Sequence, residues 1–136
     1  MKNVTLARSY LEKASVRLKV LDLLVSEKAY SDVVREAQEA VELALKGILR
    51  HIGVEPPKQH DVGRLIIEYA AKLPAQVESS AGRLAEISKW LRKEREFAFY
   101  GAVDFVPSEE YTLEDANRAR QDAVFVVQAA RRVIDG

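Results

Sequence analysis

The sequence predicts an all-α protein, an up-and-down four-helix bundle with one extra short helix. Three observations predict it. Apolar residues recur at helical period through the chain, no segment alternates as a half-buried strand would, and six glycines and four prolines among 136 residues mark the breaks between helices.

The first helix is expected from about Thr5 to Val25. Leu6, Tyr10, Leu11, Ala14, Leu18, Leu21 and Val25 form its apolar stripe, and a short turn follows near Glu27-Lys28. The second, from about Ser31 to Ile52, carries Val34, Ala37, Val41, Ala44, Leu45, Ile48 and Ile52 inward. Arg35, Glu39, Glu42, Lys46 and Arg50 line its other side, with Glu42 and Lys46 a favourably ordered i,i+4 pair. Its many alanines let a neighbour approach closely, which predicts the central helix of the bundle. Gly53-Val54-Glu55-Pro56-Pro57 then breaks the helix, since glycine suits the cap and proline disfavours helix in the residue before it.

A short third helix, capped by His60 or Asp61, should run to about Lys72 and end at Leu73-Pro74, with Leu65, Ile66 and Tyr69 inward. A long fourth helix is expected from Ala75 or Glu78 to Tyr100, with Leu84, Ile87, Leu91 and Ala98 at core spacing. Trp90 and Phe97 widen its apolar flank beyond one core stripe, which suggests a second buried contact such as another subunit. Ala102 to Tyr111 reads as a loop pinned by Phe105, Pro107 and Tyr111. Thr112-Leu113-Glu114-Asp115 resembles a capping box with aspartate in place of glutamate. The last helix, about Leu113 to Val133, has Ala116, Ala119, Ala123, Val126, Val127, Ala130 and Val133 as its seam.

The length fits one domain spanning residues 1–136, with no internal repeat and no linker. With 48% apolar and 31% charged residues the chain reads as soluble and globular, and no apolar run is long enough to span a membrane. Met1-Lys2-Asn3-Val4-Thr5 leads straight into an amphipathic segment without the apolar core of a signal peptide, so a cytoplasmic location is expected. The absence of cysteine excludes disulfides, thiolate nucleophiles and cysteine-ligated zinc. Acidic and basic residues balance at 21 each, so any contact with nucleic acid must be local.

The sequence lacks a Walker loop, a dinucleotide fingerprint, a His-Glu-x-x-His helix and the Glu-x-x-His pairs of a di-iron bundle. Two histidines are too few for a histidine-rich metal site, so neither metal nor cofactor is expected. His60 beside Asp61 has the makings of a general base with an orienting carboxylate, but its context fits a helix cap; His51 near a helix C-terminus reads as structural. The chemistry-bearing stretch is Arg92-Lys93-Glu94-Arg95-Glu96-Phe97-Ala98-Phe99-Tyr100-Gly101. On a helix Arg92, Arg95 and Phe99 share one side, Glu96 and Tyr100 lie four apart on a neighbouring side, and Gly101 suits a left-handed cap.

Three features in this order, the alanine-rich Arg35 to Lys46 helix, the Pro56-Pro57-Lys58-Gln59-His60-Asp61 loop and the stretch ending at Tyr100-Gly101, resemble the HEPN-domain family (higher eukaryotes and prokaryotes nucleotide-binding), over about residues 5 to 133. The resemblance implies a small helical bundle that forms a homodimer and binds RNA or a nucleotide, often paired with a minimal nucleotidyltransferase in a toxin–antitoxin system. Many members are metal-independent ribonucleases, whose motif is an arginine, a polar neighbour and a histidine four to six residues beyond the arginine. Arg95 matches the arginine and Glu96 the polar neighbour, but Tyr100 stands where histidine is expected. A phenol with a pKa near 10 is a poor base for a 2′-hydroxyl, though it can stack or donate a hydrogen bond.

The resemblance therefore implies a nucleotide- or RNA-binding role for Arg92, Arg95 and Tyr100. Arg95, Glu96 and Tyr100 are the catalytic candidates if cleavage survives. Two other readings stand beside it: a metal-independent ribonuclease toxin, and a non-catalytic structural partner of a nucleotidyltransferase.

Overall fold

A computed structural model describes residues 4–56, 58, 61–99 and 110–136. Four long helices carry the fold: α1 (Val4–Ser26), α2 (Tyr30–His51), α5 (Ala81–Phe99) and α6 (Leu113–Ile134). Between α2 and α5 lie α3 (Val62–Glu68), a 3-10 turn (Ala70–Lys72) and α4 (Ala75–Glu78). Among the described residues there is no strand, and no helix is long and apolar enough to cross a membrane.

The helices run up and down. The turn after α1 is tight, with Lys28 at a positive φ of 59°, so α2 returns along α1. Arg8 reaches Asp135 at 2.8 Å while Asp22 reaches Arg120 at 2.7 Å, which fixes α1 and α6 as antiparallel. Arg83 against Phe125 and Trp90 against Asp122 fix α5 and α6 the same way. Helix α2 packs against all three other long helices, the central position that its alanines predict. Its expected inward residues, Val34, Ala37, Val41, Ala44, Leu45, Ile48 and Ile52, are all buried, as is the whole alanine–valine seam of α6.

Close approach also explains one correction. The buried positions of α1 are Ala7, Leu11, Ala14 and Leu21, whereas Leu6 and Tyr10 are half-buried. A Cβ added to Gly47 would stand 3.3 Å from the Ala7 carbonyl oxygen and from the Tyr10 Cβ. The contact between α1 and α2 thus selects small residues at its tightest point, where periodicity alone favours the large ones.

The caps match their sequence signals. Thr112 Oγ1 accepts from the Asp115 N–H at 3.2 Å and Asp115 Oδ2 accepts from the Thr112 N–H at 2.9 Å, a complete capping box. Asp61, not its neighbour, is the N-cap of α3. His60 itself lies outside the described residues, as do Ala98's side chain, Phe105 and Pro107.

The expected fourth helix is interrupted. Backbone bonding shifts at Ser79-Ser80, where the Ser80 N–H bonds the Val77 carbonyl three residues back and Ser79 Oγ donates to the Gln76 carbonyl. Serine side chains compete for backbone groups in this way, so the chain makes one separate turn (α4) before α5 begins. The third helix likewise ends at Glu68, and Ala70–Lys72 continue as a 3-10 turn. The extra short structure is therefore two α-helices and a 3-10 turn, not one helix.

Candidate functional site

Helix α5 is held to the bundle by Leu84, Ile87 and Leu91, all buried. That register leaves two polar flanks on its C-terminal half. One faces α2 and the start of α3; the other faces α6.

On the first flank stand Arg92 and Arg95, three residues apart and hence neighbours on the helix surface. Arg95 Nη1 donates to Gln38 Oε1 at 2.7 Å and lies 3.6 Å from Glu39 Oε2, both on α2. Gln38 is only 3% exposed, and its Nε2 donates to Glu42 Oε2 at 2.9 Å, with Lys46 Nζ 3.7 Å from the other carboxylate oxygen. Arg92 Nη1 lies 3.5 Å from Asp61 Oδ1, the same oxygen that caps α3 by accepting from the Gly63 N–H at 3.0 Å.

The position of Asp61 depends on Gly63. A Cβ on Gly63 would come within 2.9 Å of the Ala85 Cα, so only glycine lets α3 lie this close to α5. That contact carries the cap of α3 to the arginine. Asp61, Lys89, Arg92 and Lys93 line a shallow hollow of about 280 Å³. Lys89, Arg92 and Lys93 are exposed there, giving three cations to one carboxylate.

Both guanidinium groups keep 41% of the side chain open to solvent. Half-exposed ion pairs such as Arg92 with Asp61 are worth roughly 0–1 kcal/mol, so an incoming anion can displace or share them. The arrangement can therefore present planar N–H donors and ammonium groups to phosphate oxygens.

The second flank is occupied from within the chain. Trp90 Nε1 donates to Asp122 Oδ2 at 2.9 Å, and the Arg118 guanidinium lies 4.1 Å from the centre of the indole ring. The Tyr111 hydroxyl lies 3.1 Å from the Glu94 carbonyl oxygen and 3.4 Å from its carboxylate, so one proton serves both acceptors. Burial of Tyr111, and next the negative charge of Glu94, push its pKa well above the ordinary value of 10. The wide flank read from Trp90 is thus explained by a contact with α6; the Phe97 side chain lies outside the described residues.

Of the sequence-predicted site residues, the fold brings Arg92 and Arg95 together on one flank. The Glu96 backbone belongs to α5, but its side chain and the whole of Tyr100 lie outside the described residues. Sequence reasoning missed Lys89 and Lys93 as members of the basic surface, although their four-residue spacing beside Arg92 is a readable signal. It also missed Gln38, Glu39 and Asp61 as partners of the arginines, and no local pattern marks those contacts.

The model of the HEPN domain family matches residues 7–134. No curated protein and no solved structure matches the chain. The family match spans nearly the whole sequence, and the all-α bundle built around α2 agrees with it; the chain belongs to the HEPN domain family.

Proposed function

We propose that this chain is a nucleotide- or RNA-binding HEPN protein of the cytoplasm, acting as a binding or regulatory module in a toxin–antitoxin-like pair with a minimal nucleotidyltransferase. The observation that supports this reading is the half-exposed pair of guanidinium groups on one flank of α5, with Lys89 and Lys93 beside it. Guanidinium suits phosphate because its N–H groups form a rigid fork that meets two oxygens at once. In this reading two chains pair so that their α5 ends share one cleft, in which Tyr100 stacks on a base or donates a hydrogen bond. Cleavage is disfavoured because Tyr100 replaces the expected histidine and supplies no base that titrates near neutral pH.

Binding of a short single-stranded RNA in the presence of a chelator tests the proposal. Arg95→Ala should weaken binding by about 1.5–3 kcal/mol, the range for hydrogen bonds to charged groups. Its melting temperature should fall modestly, because the buried Gln38 carbonyl loses the donor that Arg95 supplies. The native protein should leave the RNA intact, and Tyr100→His should give measurable cleavage by placing a group that titrates near pH 6.5 in the motif. Light scattering on the same samples should report about twice 15.3 kDa. Strong native cleavage abolished by Arg95→Ala would establish the ribonuclease toxin instead. No RNA or nucleotide binding at all, with a nucleotidyltransferase still captured, would leave only the structural-partner role.

A further inference from the structure

A carboxylate would neutralise an arginine, but the shortest contact to Arg95 is a neutral amide. Gln38 Oε1 accepts from Arg95 Nη1 at 2.7 Å, while Glu39 stands farther off at 3.6 Å. The amide has one workable orientation. Its Nε2 donates to Glu42 Oε2 at 2.9 Å, and turning it over would set NH₂ against a guanidinium and C=O against a carboxylate. Glu42 is one helical turn along α2 from Gln38, and Lys46 one turn further, so the chain Lys46–Glu42–Gln38–Arg95 is built from i,i+4 steps that end on α5. At 3% exposure Gln38 is among the few buried polar residues, and a buried amide is tolerated because both of its ends are bonded.

From this geometry we infer that Gln38 is a positioning residue for the anion site: it holds the Arg95 guanidinium in place with an acceptor that adds no negative charge to the one Glu39 already brings. The inference rests on the reading of Arg95 as a phosphate ligand. Glutamate at this position would supply the same acceptor in the same volume, but would pair the charge that a phosphate needs. Leucine would fill the space and let the guanidinium swing toward Glu39, away from its present aim. The amide alone supplies a fixed acceptor with no net charge.

The experiment measures affinity for a short single-stranded RNA of mixed sequence, with chelator, in Gln38→Glu, Gln38→Leu and Arg95→Ala and in the two double variants. Gln38→Glu and Gln38→Leu should each lose about three- to tenfold in affinity, matching one ordinary hydrogen bond. In the Arg95→Ala background the same substitutions should change affinity by less than about twofold, because Gln38 acts through Arg95. A loss that persists without Arg95 marks Gln38 as a plain core residue and overturns the inference. Wild-type affinity in Gln38→Glu overturns it too, since the neutral acceptor would then be dispensable.

If Arg95→Ala itself binds normally, the anion site is elsewhere and the proposed function fails with it; a loss in Arg95→Ala alone sinks only the role of Gln38. Thermal melts identify any variant that does not fold. The unsubstituted protein supplies an independent readout. Nuclear magnetic resonance should show separate, slowly rotating Nη groups for Arg95, and a single averaged signal means that nothing holds the guanidinium.

Discussion

The two flanks of α5 use different residue types for different ends. Toward α6, Trp90 and Tyr111 place large rings in the bundle and satisfy their polar tips on Asp122 and Glu94. Toward α2 and α3, Arg92 and Arg95 meet their partners among the described residues through Nη1 and leave 41% of the side chain in solvent. Rings gain from burial, because the apolar body leaves water while a single donor needs one acceptor. Guanidinium groups have five donors and pay heavily for full burial, so they settle at the surface with part of their bonding capacity open. The flank toward α6 should therefore govern stability, and the flank toward α2 and α3 ligand binding.

The largest expected break in that comparison is Trp90→Ala. Loss of the indole, its bond to Asp122 and its contact with Arg118 should cost about 2–4 kcal/mol, at the lower side of aromatic truncations because the ring is only partly buried. Denaturant unfolding measures it, and an effect no larger than that of Arg95→Ala would erase the distinction between the flanks.

Gly63→Ala comes next. The added Cβ would collide with the Ala85 backbone at 2.9 Å, so α3 must move, at a cost of roughly 1–3 kcal/mol. Because α3 carries Asp61, the movement should also loosen the pairing of Arg92. A salt titration of RNA affinity that stays superimposable on wild type would show that α3 has no part in shaping the basic hollow.

The smallest effect belongs to Tyr111→Phe, about 0.5–1.5 kcal/mol for one hydrogen bond. Its signature is the pH dependence. The folded protein holds the phenolic proton more tightly than the unfolded chain, whose tyrosine titrates near 10. That preference stabilises the fold fully below about pH 10 and is lost as pH rises beyond it. Tyr111→Phe should flatten the alkaline fall in melting temperature relative to wild type; parallel curves would mean that the phenol is not held protonated by the fold.

Much of the architecture was legible from spacing. The stripes of α2 and α6, the capping box at Thr112 and the cap at Asp61 all involve residues within four positions of one another. The arginine pair was legible for the same reason. The break at Ser79-Ser80 was not, because continuous apolar spacing from Val77 to Leu91 masks a local competition for backbone groups. Trp90 reads in sequence as surplus to one core stripe because its partners, Asp122 and Arg118, lie about thirty residues away on another helix.

The sequence by itself determined where helices form, which faces they bury and which end of α5 gathers cations, since each is set by side chains one or two turns apart. Tertiary structure alone decided what those cations meet. Arg95 and Gln38 are 57 positions apart, and neither carries a pattern that names the other. Their contact exists because α2 and α5 pack side by side in the bundle, and Gly63 sets how near α3 can lie to α5. Helix propensity is a property of a few neighbouring residues. The distance between a guanidinium and an amide is a property of the packed whole.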